Sequence, residues 1–97
     1  MPQLNAALEE LGAADGVDRS LALQILSDSV AEIIGLVEAT PFATLINAKP
    51  TELPHLTAVA EERFASFSKQ QKNAIRDVAH TKAEIHRIEA SFSFLKG

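Results

Sequence analysis

One stretch decides the fold, residues 64–95, which read FASFSKQQKNAIRDVAHTKAEIHRIEASFSFL. It contains no glycine and no proline, so no residue in it forces a helix to end. Its apolar and small residues recur in alternating steps of three and four, the spacing of a coiled-coil seam. The seam positions are Phe64, Phe67, Gln71, Ala74, Val78, Thr81, Ile85, Ile88, Phe92 and Leu95. The stretch therefore predicts a long helix with a coiled-coil-like face.

Two positions of this seam are polar, Gln71 and Thr81. Polar residues inside a seam can fix its register or the number of helices, at some cost in stability. Alternatively, both side chains face solvent where the seam drifts around the helix. The spacing alone leaves these two interpretations open.

The predicted helix is too long for the rest of the chain to cover. If it runs unbroken over residues 54–96, it is about 60 Å long, whereas the helix before it spans about 30 Å. The C-terminal half would then leave apolar side chains in water, which is costly and promotes aggregation. We therefore expect a partner helix to bind there, from a second copy in a homodimer or from another protein. The predicted partner-binding residues are Ile75, Val78, Ile85, Ile88, Phe92, Phe94 and Leu95.

Two other arrangements would cover the seam without a partner. The first helix could fold back over part of it. Alternatively, the long helix breaks near residues 70–73 and the chain forms a compact four-helix monomer. If a partner helix does bind, the pattern does not distinguish parallel from antiparallel pairing.

Two clusters of turn-forming residues divide the chain into three helical segments, at 12–18 and at 49–55. The first segment covers residues 3–11, with Gly12 in the position of a C-terminal cap. Leu4, Leu8 and Leu11 fall on one face of it.

The second segment covers residues 19–39, with Asp18 as the predicted N-cap. It is apolar around most of its circumference, so we expect it to be the enclosed central helix. Thr40 and Pro41 predict that this helix either stops or kinks, and in the second case it extends to residue 48. With no strand pattern anywhere, the 97 residues predict a single all-α domain, a helical hairpin or bundle over 1–97.

Charge argues against a general nucleic-acid binder, because 13 acidic residues outnumber 9 basic ones and the net charge is −4. Residues 1–50 hold seven acidic and two basic residues, or −5, and residues 51–97 hold six and seven, or +1. We therefore expect the acidic N-terminal segments to lie against the C-terminal helix, within one protomer or across a dimer.

A basic stripe on the C-terminal helix is the exception to this acidic character. Its members, at helical spacing, are Lys69, Lys72, Arg76, His80 and Arg87. They predict either a contact for an anionic partner or the ordinary charged exterior that keeps a coiled coil in solution. The first interpretation supports the alternative function, a nucleic-acid-associated regulator.

Catalytic signatures are missing from the sequence. It has no cysteine, no glycine-rich phosphate loop and no Gly-x-Ser-x-Gly motif, so we predict no enzyme, no cofactor and no small-molecule substrate. His80 and His86 are six residues apart and point to opposite sides of a helix, which argues against a metal site.

The expected compartment is the cytoplasm. The N-terminus lacks the basic start and apolar core of a signal peptide, and the most apolar stretch, residues 21–39, is interrupted by charges that a membrane span excludes. The sequence thus predicts a cytoplasmic interaction protein without membrane contact, in the manner of an adaptor, assembly chaperone or inhibitor.

Overall fold

A computed structural model describes the backbone of residues 3–96 and the side chains of residues 3–90. It contains five α-helices: α1 (Gln3–Asp15), α2 (Arg19–Ile33), α3 (Leu36–Ile46), α4 (Leu53–Ser66) and α5 (Lys69–Lys96). No strand occurs within the described residues. The all-α bundle with a long C-terminal helix, predicted from the spacing, is confirmed.

Helix α1 buries the predicted face of Leu4, Leu8 and Leu11. It does not end at Gly12, as predicted, but continues for one more turn to Asp15. The residue that ends it is Gly16, whose φ of 68° lies in the left-handed region and whose N–H donates to the Gly12 carbonyl.

The start of α1 is held by a side chain distant in sequence. Glu61 of α4 accepts the backbone N–H of Leu4 at 3.1 Å and that of Asn5 at 2.9 Å. The first N–H groups of a helix have no partner inside it, and a carboxylate there also interacts favourably with the helix dipole. Glu61 therefore fastens α1 to α4.

Helix α2 begins with the predicted cap, because the Asp18 carboxylate accepts the N–H of Leu21 at 2.8 Å.

The predicted stop or kink at Thr40 and Pro41 is wrong: the helix ends at Ile33, and Gly35 separates it from α3. Pro41 lies inside α3, where it cannot donate to the carbonyl of Val37. Since Val37 is largely exposed, water can satisfy that carbonyl.

The continuous helix predicted over residues 54–96 is also interrupted. Helix α4 ends at Ser66, Phe67 is extended, and Ser68 starts α5 with a reciprocal cap. The Ser68 hydroxyl accepts the N–H of Gln71 at 3.1 Å, while the Gln71 side chain accepts the N–H of Ser68 at 2.9 Å. Gln71 is therefore an exposed capping residue and not a seam position.

Three phenylalanines join α3, α4 and the α4–α5 link at the centre of the core. The ring centroids of Phe42, Phe64 and Phe67 are 6.0–6.3 Å apart, with Phe64 edge-on to both others. Helix α5 adds Ile75, Ala79 and Ala83, all completely buried. Two of these three residues are alanines, whose small side chains suit close packing of α5 on its neighbours α1 and α2.

Candidate interaction surface

Helix α5 is longer than the bundle of helices that covers its N-terminal part. At 28 residues it is about 42 Å long, which matches the longest dimension of the molecule, 42 Å. From Glu84 to Ala90 every residue is exposed, although Ile75, Ala79 and Ala83 on the same helix are fully buried. The part of α5 after Ala83 thus projects from the described bundle.

The projecting part carries an apolar row. Ile85 is 50% exposed and Ile88 is 47% exposed, values unusual for isoleucine in a folded domain. Together with Val78, which is half-buried, and the exposed Thr81, they form one side of the helix, here named the α5 face. The α5 face comprises Val78, Thr81, Ile85 and Ile88.

The seven residues predicted to bind a partner separate into three groups. The prediction for Ile75 is wrong, because this residue is completely buried in the core of its own chain and cannot contact a partner. Val78, Ile85 and Ile88 lie on the α5 face. Phe92, Phe94 and Leu95 lie in α5, but their side chains are outside the described residues.

A groove of about 380 Å³ lies beside the α5 face. Its lining consists of Glu32, Asp77, Val78, Thr81, Lys82 and Ile85. Glu32, from the end of α2, pairs with Lys82, with Nζ and Oε2 3.4 Å apart. The groove therefore has an apolar floor from α5 and a charged rim. Sequence reasoning did not single out Glu32, although the charge difference between the two halves of the chain pointed to such pairs.

The predicted basic stripe is divided in the structure. Lys69, Lys72 and Arg76 line a cleft of about 530 Å³ between α1 and the start of α5. Arg87 lies on the projecting part, eleven residues after Arg76 and so about 16 Å along the helix. The four residues proposed for an anionic partner thus do not form one contact surface.

Two members of the stripe bind acidic residues of α1. Arg76 donates to the Glu10 carboxylate at 2.5 Å. His80 lies with Nδ1 2.7 Å from Asp15 and Nε2 3.4 Å from Glu10. With the Glu32–Lys82 pair, these contacts confirm the predicted attraction between the acidic half and α5, within one protomer.

The histidines do not converge on a metal. His80 faces α1, whereas His55 and His86 are exposed on α4 and on the projecting part of α5. Within the part of the chain that the structure describes, no group of three His, Asp or Glu residues could hold a metal ion.

A second exposed apolar pair was not foreseen. Leu36 is 79% exposed and Val37 75%, both in the first turn of α3. The sequence placed them on the enclosed central helix, which is wrong because that helix ends before Gly35. The glycine was the available signal, since it disfavours a helix interior by about 1 kcal/mol relative to alanine.

Comparison with protein-family models, curated proteins and solved structures finds no match for the chain. Among the described residues, no helix combines the length and the apolar character needed to cross a membrane.

Proposed function

We propose that the protein is a non-enzymatic protein–protein interaction module that binds a partner helix through the α5 face. The carrying observation is the contrast along α5, where Ile75 is fully buried and Ile85 and Ile88 are half exposed. Adaptor, assembly chaperone and inhibitor are the roles that such a module fits. The cytoplasmic location expected from the sequence stays a prediction.

The energetics of the projecting helix support this proposal. Full burial of one isoleucine side chain stabilises by roughly 1.5–3 kcal/mol relative to exposure. Most of the stability of helices in proteins comes from tertiary packing of an apolar face, so a surface that covers the residues after Ala83 would stabilise this part of α5. A partner helix on the α5 face supplies both effects at once.

The alternative function, nucleic-acid association through the basic stripe, has weaker support. Arg76 is engaged by Glu10, so part of the stripe's charge is already balanced within the chain, and His80 is in contact with Asp15. Lys69 and Lys72 retain a net basic cleft. Binding through them would weaken steeply with salt, because phosphate contacts release counterions.

The proposed function can be tested with a photo-reactive amino acid placed at Ile88 and, as the matched control, at His86. Both positions are exposed in the same turn of α5, but only Ile88 belongs to the α5 face. In source cells we expect a discrete protein adduct from position 88 and none from position 86. The adduct protein is then purified and its affinity for this chain measured.

Two double variants decide whether the α5 face carries that affinity. Ile85→Ser with Ile88→Ser removes its apolar atoms and should weaken binding at least about 100-fold, since each decade corresponds to about 1.4 kcal/mol. His86→Ser with Arg87→Ser alters the neighbouring side and should change binding less than about threefold. Equal effects of the two double variants would contradict the proposal.

A further inference from the structure

We propose that the partner of the α5 face is the same face of a second copy, paired antiparallel about a two-fold axis between Ile85 and Ile88. This inference rests on the proposed function. In heptad notation Val78 and Ile85 are a positions of the seam, and Thr81 and Ile88 are d positions. In this register each a position of one copy meets a d position of the other. The central opposed pair is Ile85 with Ile88, which occurs twice about the axis.

Charge complementarity selects the antiparallel orientation. The residues that flank the seam are Asp77, Lys82, Glu84 and Glu89. In the antiparallel register Lys82 lies beside Glu89 of the second copy, twice, and Glu84 does not meet Glu89. Parallel pairing also gives two attractive contacts, Asp77 with Lys82, but it sets Glu84 against Glu89 twice.

The groove beside the α5 face is open to the second copy in this arrangement. Thr81 and Val78 form part of its floor, and the register brings the last turns of the other copy's α5 over them. The rim residue Lys82 can interact with Glu32 of its own chain and with Glu89 of the second copy. The groove and the projecting helix are then two parts of one self-complementary surface.

Sedimentation equilibrium of the purified chain tests the pairing, with charge reversals as the discriminating variants. Glu89→Lys replaces two attractive contacts with two repulsive ones and should weaken an antiparallel dimer about tenfold. In a parallel dimer the same variant would remove the repulsion from Glu84 and strengthen association. Lys82→Glu combined with Glu89→Lys should restore the wild-type dissociation constant to within about threefold.

Glu32→Gln is the control for the second role of Lys82. It breaks the contact between Glu32 and Lys82 within one chain and leaves Glu89 in place. We expect no loss of association from it. A loss as large as the tenfold weakening expected for Glu89→Lys would overturn the assignment of Lys82 to the dimer contact.

Cross-linking gives the orientation directly, because the chain has no cysteine of its own. Variants Thr81→Cys and Ser91→Cys, both close in size to the original residues, are mixed and treated with a short bifunctional maleimide. Antiparallel pairing brings positions 81 and 91 of different copies together, so the mixed product should predominate. Parallel pairing separates them by about 15 Å and would give the two homodimeric products.

The outcomes separate this inference from the proposed function. A chain that stays monomeric at the highest concentration it tolerates in solution, yet binds another protein through Ile85 and Ile88, overturns self-pairing and leaves the interaction module in place. Strengthening by Glu89→Lys, or homodimeric cross-links alone, overturns the antiparallel orientation. Weakening by Glu89→Lys together with mixed cross-links supports the inference.

Discussion

The seam spacing of three and four runs along the whole of helix α5, but the helix has a part that is packed in the bundle and a part that is exposed. From Lys69 to Ala83 it packs on α1 and α2, and its Ile75, Ala79 and Ala83 are fully buried. From Glu84 to Ala90 no side chain is buried. The difference lies in the neighbours: α2 has 15 residues and spans about 22 Å, roughly half of α5. The length of the neighbouring helices, more than local hydrophobicity, decides where the core ends.

The largest expected effect separates the two parts by isoleucine truncation. Ile75→Ala should lower the free energy of unfolding by about 3–4 kcal/mol, because it leaves a cavity among fully buried neighbours. Ile88→Ala should lower it by less than about 0.5 kcal/mol. Urea unfolding, at a concentration where the chain is monomeric, measures both. Similar losses would mean that the chain itself covers the projecting part.

Enlarging an alanine tests the same boundary from the opposite direction. Ala83→Leu inserts methylenes where α5 meets the bundle and should cost about 1–3 kcal/mol. Ala90→Leu adds the same atoms to an exposed position and should leave the melting temperature nearly unchanged. Calorimetry of the two variants compares them directly. A tolerated leucine at position 83 would show that the bundle is loosely packed there.

Removal of the cap at the start of α5 should affect the packed part alone. Ser68→Ala loses the acceptor for the Gln71 N–H and should cost about 1 kcal/mol. Gln71→Leu loses the reciprocal contact and should destabilise slightly without changing self-association, the reverse of the tightening expected for a seam position. Gln70→Ala, at an exposed position beside the cap, is the control. Denaturant unfolding and sedimentation measure the two effects.

The smallest expected effect concerns the two arginines of α5. Arg76→Gln removes an exposed ion pair with Glu10 and should cost up to about 1 kcal/mol at low ionic strength, and less in high salt. Arg87→Gln, on the projecting part, should change stability by a smaller amount at either ionic strength. Unfolding at two salt concentrations makes the comparison. Equal salt dependence of both variants would contradict a specific role of the Glu10 contact.

The class of the fold followed from the sequence because helical spacing persists along the whole chain and strand alternation is missing. The cap at Asp18 was readable from one residue type in front of an apolar run. The helix boundaries were harder to predict from the sequence. The chain breaks at Gly35 and at the Ser68–Gln71 cap, whereas the sequence indicated breaks at Pro41 and, in one alternative, at residues 70–73. A proline is tolerated inside a helix where the carbonyl four residues earlier, which loses its N–H donor, is accessible to water. Pro41 and the exposed Val37 are such a case.

The candidate surface was only partly predictable. Ile85 and Ile88 were correctly expected to be exposed, because the second helical segment is too short to reach that far along the C-terminal helix. Ile75 was misassigned because the seam pattern treats α5 as a helix with one apolar side. The structure has two: Ile75, Ala79 and Ala83, at steps of four, face the bundle, and the α5 face lies about 140° away around the helix. Sequence spacing alone does not say which row the neighbours occupy.

The contact between Glu61 and the start of α1 has a consequence for the order in which the molecule assembles. Helix α1 is synthesised before α4 and α5, which supply its tertiary contacts. Its cap comes from Glu61, 56 and 57 positions after the N–H groups that it accepts, and its side-chain contacts with α5 join residues 65 and 66 positions apart. Closing loops of this length costs chain entropy that only a formed docking surface can offset. On the ribosome, α1 must therefore wait until α4 and most of α5 have emerged, so its docking marks the completion of the bundle.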